Sequence, residues 1–345
     1  LLDALVERAH RKQLAGLGQE LPADVGALDV GRHQPGVPDD LALEERIAAF
    51  MGTEAALVFS TGYQVNVGTI SALVGRGDTV ITDKEDHASI LDGCMMSMGE
   101  MRRFRHNDVT HLDRVLGKVD SKAGKLVVVD GVYSVGGDIA PLPEMADVCE
   151  KHGARLMVDD AHSVGVLAQG RGTAAHFDVV DRIDLTMGTF SKSFASVGGF
   201  IAGDEDVIHY IQHHARSFIF SAAMPAPTVA SVLAALEILE NEPELVDRLW
   251  ENGERMRKGL VDAGFNTGPS ETPIIPVIVG EMDQTMLFWK KLFEAGVYTN
   301  AFVPPGVPVG SSLLRTSYMA THTTDQIDRA LDIFTTVGRD MGLIG

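Results

Sequence analysis

Residues 155–165 read RLMVDDAHSVG: an apolar run that stops at two aspartates, followed by a small residue and a histidine. A strand with apolar side chains on both faces belongs inside a sheet covered on both sides. The same texture recurs on either side of it. Short apolar runs lie at 55–59 (AALVF), 78–82 (DTVIT), 125–130 (KLVVVD) and 183–187 (IDLTM), with 199–202 (GFIA) as a sixth. Helix-like stretches at 62–74, 88–98, 109–118 and 142–152 separate them. Alternating strands and helices predict an α/β fold, a mainly parallel central sheet covered by helices. In such sheets ligands bind beyond the carboxyl ends of the strands, so informative side chains should follow each apolar run.

Outside that core the texture changes. Residues 1–16 read as an amphipathic helix and 17–41, through Gly26, Gly31, Pro35, Gly36 and Pro38, as loop. After residue 224 a long Ala/Leu-rich helix (225–239) leads to a second with Val246, Leu249, Gly253, Met256 and Leu260 on one stripe. A strand (274–279), a helix (283–295), a strand (313–318) and a last helix follow. That helix opens on a capping-box pattern from Thr323 to Gln326, with Ile327, Ala330, Leu331 and Phe334 inward. The expected division is 1–41 as an N-terminal segment, 42–224 as a large domain and 225–345 as a smaller C-terminal α+β domain.

The 345 residues carry 29 Lys+Arg against 48 Asp+Glu, a formal net charge of −19, which argues against a nucleic-acid binder. No run approaches the roughly 18 apolar residues of a membrane span, and a cytoplasmic enzyme is the expectation. Cys94 and Cys149 fit no CxxC or metal-ligand spacing, so neither a disulfide nor a metal centre is expected.

The residues at the strand ends carry the chemistry. Lys192 stands in GTFSKSFASVGG (188–199), close behind an apolar run. By itself a lysine among small polar residues is a solvated surface group. Held in the interior, it would lose part of its charge stabilisation and become the nucleophilic amine that imine formation with an aldehyde requires. Thr189 and Ser191 flank it with hydroxyls suited to a phosphate. Asp159 ends its strand; it is either an N-cap or salt-bridged aspartate, or the acceptor for a protonated pyridine nitrogen. Ala161 could lie flat against such a ring and His162 hydrogen-bond its phenolic oxygen. His87 is either a capping histidine or an aromatic plate on the other ring face. Ser60 to Tyr63 start a helix whose N–H groups, including those of Gly62 and Tyr63, could cradle a phosphate, although a plain N-cap explains Ser60 or Thr61 equally well. Ser134 adds a hydroxyl after VVVDGVY. Together these residues describe a site for a flat, phosphorylated, aldehyde-bearing heterocycle.

The segments FSTGYQVN, DHASILDG, DGVYSVGGDIAPL, VDDAHSVGVLAQGRG, GTFSKSFASVGGFIAG, FSAAMP and LLRTSYMATHT resemble the α-oxoamine synthases of the fold-type I pyridoxal-phosphate (PLP) superfamily. The likeness spans about residues 42–340. The forms around the lysine and at RTSYMATHT look most like the bacterial serine palmitoyltransferases. The resemblance implies a fold-type I PLP-dependent transferase and a homodimer with a shared active site. It makes Lys192 the Schiff-base lysine, Asp159 the pyridinium partner and His87 the ring-stacking residue, all three catalytic. His162 and Ser134 would address the ring hydroxyl. Gly62, Tyr63, Thr189 and Ser191 would hold the phosphate, with Ser221 reaching it from the other subunit, and Arg315 would grip the amino-acid carboxylate. The implied reaction joins L-serine to palmitoyl-CoA: an α-proton is lost, the carbanion attacks the thioester, and CoA and CO2 leave to give 3-ketodihydrosphingosine. Peripheral contact with a membrane would suit such a lipid-like substrate.

The sequence departs from the family near its start. An NNYLG-like strand and a glycine-rich loop are expected between the first helix and Leu41, and LPADVGALDVGRHQPGVPDD contains neither. The competing readings are a sister enzyme of the 8-amino-7-oxononanoate synthase or glycine C-acetyltransferase type, using glycine or alanine, and more remotely an aminotransferase, an aldolase or a cysteine desulfurase. A non-catalytic PLP-fold binding protein is the reading from another class, and it would expect the lysine or the ring aspartate to be lost.

Overall fold

Alternation along the strands explains why the main sheet buries both faces. Leu57 and Phe59 pack into one apolar cluster with Val80, Val128, Met157, Leu185 and Ile201, while Ala56 and Val58 join another with Phe200 and Ala202. The computed structural model describes residues 38–345, so the expected N-terminal helix at 1–16 lies outside the described residues. Contacts divide the chain into two compact units. The first runs up to Gly131 and resumes over Ala140–Glu240; the second is Val132–Ile139 with Asn241–Gly345.

The first unit begins with α1 (Pro38–Met51), which starts within the stretch expected as loop. It continues with β1 (Ala55–Phe59), α2 (Gly62–Leu73), β2 (Thr79–Asp83), α3 (Ala88–Met96), β3 (Glu100–Phe104), α4 (Val109–Leu116), β4 (Lys125–Asp130), α5 (Leu142–His152) and β5 (Arg155–Asp159). After α6 (Thr173–His176) come β6 (Leu185–Thr189), β7 (Gly199–Gly203), α7 (Glu205–His214), α8 (Arg216–Ile219) and α9 (Ala226–Asn241). The seven strands form one sheet in the order β1-β7-β6-β5-β4-β2-β3. All neighbours from β6 to β3 are parallel, and β7 runs antiparallel to both β6 and β1. The parallel α/β expectation is met. The strand of this sheet absent from the sequence reading is β3, EMRRF, an edge strand that fully buries only Phe104.

The expected boundary at 224/225 precedes α9, yet Ala226–Glu240 group with the first unit. The reason is apolar: Val229, Val232 and Leu236 are fully buried in the cluster that also holds Leu43, Ile47, Phe190 and Phe200.

The second unit contains α10 (Glu244–Ala263), β8 (Ile274–Gly280), α11 (Met282–Glu294), β9 (Asn300–Phe302), β10 (Ser312–Ser317) and α12 (Thr324–Asp340). Its antiparallel sheet runs β8-β10-β9. Phe265, Phe288 and Phe334 meet with ring centroids 5.8 to 6.2 Å apart at the centre of its core. The capping box at the start of α12 is formed: Gln326 donates its amide N–H to the Thr323 hydroxyl, and the Gln326 side chain accepts the Thr323 N–H at 2.9 Å. Thr323→Ala is expected to lower stability by about 1 kcal/mol, read as a lower urea midpoint at unchanged slope. An unchanged midpoint would show that the cap contributes nothing. Among the described residues no helix is long and apolar enough to cross a membrane.

Candidate active site

Four buried aspartates gather where β2, β4 and β5 end: Asp83, Asp86, Asp130 and Asp159. Parallel pairing puts Asp130 of β4 level with Asp159 of β5. Asp86 ties the edge together, accepting the N–H of Asp83 at 2.8 Å and that of Asp130 at 3.0 Å. Asp130 in turn accepts the backbone N–H of His87 at 3.1 Å. So many carboxyls cannot all hold charge away from water. Burial, then the charge of Asp83, pushes Asp86 well above the usual carboxylate range. Burial, then Asp159 and Asp86, does the same to Asp130.

Both oxygens of Asp159, like those of Asp86, accept N–H groups. Oδ1 takes the amide of Ala161 at 3.0 Å, and Oδ2 takes the side-chain amide of Asn66 at 2.6 Å. Adjacent strand residues face opposite ways, and Asp160 shows what the neighbouring aspartate does. It accepts the Thr173 N–H at 2.9 Å and the Ser163 hydroxyl, and burial pushes it up to about 6. A Cβ on Gly131 would come within 2.1 Å of Asp160 Oδ1, so only glycine fits there. Asp160 braces the loop, and Asp159 is left for the site.

His87 caps α3: its Nδ1 accepts the Ser89 N–H at 3.3 Å and lies 2.7 Å from the Ser89 hydroxyl. The capping and plate readings of His87 are compatible, because capping uses only Nδ1 and the residue is exposed. Asn66 and Ser89 escaped the sequence reading. The available signal was an asparagine between Val65 and Val67 on the buried side of a helix, which has to find polar partners there.

The start of α2 meets the end of β6. A Cβ on Gly62 would stand 2.7 Å from the Thr189 hydroxyl, so glycine allows the close approach. Thr61 is the N-cap, accepting the Gln64 N–H. The amides of Gly62 and Tyr63, in the first turn, have no intrahelical acceptor. The Thr189 and Ser191 hydroxyls lie 3.0 Å apart, and Gln64 donates to the Ser221 hydroxyl of the same chain at 2.9 Å. The Tyr63 side chain turns away to donate to Asp92 at 2.6 Å, which leaves its backbone as the useful group.

Lys192 is exposed in this unit. The loop explains it. Phe190 and Phe194 are anchored in the core at 0% and 4% exposure, and Ser193 donates to the Val164 carbonyl at 2.7 Å. The residues between the anchors, Lys192 at their centre, are pushed outward. Ala161 and His162 are half-buried just beyond β5. Ser134 and Arg315 belong to the second unit. Arg315 sits on β10, 6.0 Å from the Phe302 ring centroid; its Nε is buried with no hydrogen-bond partner among the described residues, and burial lowers its affinity for its proton.

A phosphorylated pyridine fits this edge on two observations. Asp159 is a buried carboxylate held by N–H donors on both oxygens, suited to face a cationic ring nitrogen. The close approach at Gly62 brings the N–H groups of the α2 N-terminus beside the Thr189 hydroxyl, itself 3.0 Å from that of Ser191, a donor set suited to a phosphate.

Comparison with known proteins gives the same answer. A model of the aminotransferase class I and II family matches residues 27–334. The chain is 47% identical over 293 residues, 85% of itself and 73% of the relative, to a serine palmitoyltransferase of Sphingobacterium spiritivorum. It is 45% identical over 304 residues, 88% of itself and 78% of the relative, to an 8-amino-7-oxononanoate synthase of Symbiobacterium thermophilum. A solved serine palmitoyltransferase carrying PLP superposes with a TM-score of 0.88 at 38% identity, covering 99% of this chain and 85% of that one. The chain belongs to the aminotransferase class I and II family and is a PLP-dependent α-oxoamine synthase, an acyltransferase like these relatives.

Proposed function

We propose that the protein condenses L-serine with a long-chain acyl-CoA, palmitoyl-CoA in the first instance, releasing CoA and CO2 and giving 3-ketodihydrosphingosine. The observation that carries the reading is the convergence of Asp159, His87 and the α2 N-terminus on one edge of the main sheet, with the Lys192 loop leaving β6 at the same edge. Bound there, PLP would serve as a sink for the electrons left behind when a substrate bond at Cα breaks.

The roles proposed for the chain's own residues follow from their chemistry. The Lys192 amine is the covalent anchor. Asp159 holds the ring nitrogen protonated, and His87 and Ala161 enclose the ring faces. His162 and Ser134 address the ring oxygen. The amides of Gly62 and Tyr63 and the hydroxyls of Thr189, Ser191 and Ser221 hold the phosphate. Arg315, a half-buried guanidinium whose Nε has no partner among the described residues, grips the amino-acid carboxylate. Dimerisation belongs to the same reading. Met95, Met96 and Met98, 66%, 66% and 60% exposed, form an apolar surface at the end of α3 that a second copy would cover.

A sister activity on glycine or alanine is the second reading, because the identity to an 8-amino-7-oxononanoate synthase nearly equals that to a serine palmitoyltransferase. Chain length is set by a pocket in which one methylene changes affinity by only ~1–3 kcal/mol, so measurement decides. CoA release should be assayed with serine, glycine and alanine against acyl-CoAs from acetyl to palmitoyl. Serine with palmitoyl-CoA is expected to give the highest kcat/KM. Release with acetyl-CoA but not palmitoyl-CoA, or with glycine or alanine but not serine, would overturn the proposal.

A further inference from the structure

Asn66, fully buried on α2, touches two parts of the site at once. Its side-chain nitrogen is 2.6 Å from Asp159 Oδ2 and 2.9 Å from the Ser89 hydroxyl, which is 2.7 Å from His87 Nδ1. The direction of every bond in this row is fixed. An amide nitrogen only donates, so its two hydrogens go to Asp159 and to Ser89. Turning the amide over would set Asn66 Oδ1 against a carboxylate oxygen, and among the described residues Oδ1 has no partner that could hold the amide in that orientation. The Ser89 oxygen accepts from Asn66, and its own proton is available to His87 Nδ1. The Ser89 backbone N–H points to the same nitrogen at 3.3 Å. His87 Nδ1 therefore accepts, and its ring proton sits on Nε2, which no capping bond occupies.

We propose that Asn66 and Ser89 are positioning residues that couple Asp159 to His87: Asn66 holds Asp159 as the charged acceptor for the cofactor's ring nitrogen, and Ser89 passes the same polarity on to fix the His87 tautomer. This inference rests on the proposed roles of Asp159 and His87. The row is needed because other acids crowd Asp159. Asp130 of β4 stands level with it, Asp86 accepts the N–H groups of Asp130 and Asp83, and Asp160 follows just past the end of β5. Each of Asp86, Asp130 and Asp160 feels the Asp159 charge as a repulsion. The Asn66 N–H fixes Asp159 Oδ2 in place among them.

The test uses the purified protein loaded with PLP and two readouts besides turnover: the PLP dissociation constant, and the visible spectrum of the lysine-linked cofactor titrated with pH. Asn66→Ala is expected to weaken PLP binding about tenfold or more, the scale of one hydrogen bond to a charged group, and to displace the spectral midpoint. Ser89→Ala should displace the midpoint less and leave PLP affinity near wild type, and Ser89→Thr, which keeps the hydroxyl, should restore it. If Asn66→Ala fails to fold, Asn66→Asp, equal in size but presenting oxygen to Asp159, takes its place with the same expectation. A wild-type affinity and midpoint in the Asn66 variant, or the same midpoint for Ser89→Ala and Ser89→Thr, would overturn the coupling. Failure of the wild-type protein to bind PLP, or loading that survives Lys192→Ala and Asp159→Asn unchanged, would instead bring down the proposed roles on which it rests.

Discussion

Lys192→Ala is expected to abolish the borohydride-reducible adduct and the absorbance near ~420 nm, and to lower turnover by at least about 10³-fold, or roughly 4 kcal/mol of transition-state stabilisation. The lysine is the amine at the apex of the loop after β6, and no neighbouring side chain can replace it: Ser191 and Ser193 are hydroxyls, and Ser193 is committed to the Val164 carbonyl. The fold should not suffer. Phe190 and Phe194 hold the loop from below, and the amide of Ser196 donates to the Phe190 carbonyl at 2.8 Å, neither of which needs the lysine side chain. An exposed position of this kind should shift stability by no more than about 0.5 kcal/mol. Spectrum, turnover and urea midpoint should therefore separate cleanly. Retained turnover with an unchanged spectrum would contradict the assignment.

Asp159→Asn should be nearly as damaging by another route, with turnover lower by about 10²- to 10³-fold, equivalent to ~3–4 kcal/mol. The substitution keeps the shape but not the charge, so the ring nitrogen loses the partner that keeps it protonated. It also disturbs both donors that now serve Asp159. If the new carbonyl accepts from Ala161, the new amino group faces the amide of Asn66, donor against donor. PLP affinity should fall as well, measured by equilibrium dialysis. Asp130 should respond too, since the Asp159 charge is the second cause, after burial, of its resistance to ionising. Turnover within about threefold of wild type would rule Asp159 out as the ring partner.

What could be read from the sequence depended on whether a residue's role is local. The runs at 55–59, 125–130 and 155–159 announced strands because strands covered on both faces are apolar throughout, and all three appear at those limits. β3 could not be seen, since an edge strand with four of its five residues outside the core carries no such signal. The expectation that function lies at strand ends located His87 and Asp159 without reference to packing. Asn66 and Ser89 stayed hidden because a buried polar residue in a helix has meaning only through partners distant in the chain, 93 residues away for Asn66 and Asp159. The anchoring of the Lys192 loop was likewise invisible, being set by two phenylalanines that hold it on either side.

The central claim is that this sheet edge holds PLP through Lys192. The most direct measurement is borohydride reduction of the PLP-loaded wild-type protein, followed by peptide mass mapping. The account predicts one pyridoxyl-modified lysine, at position 192. Label on another lysine, or no label on protein incubated with excess PLP, would contradict it.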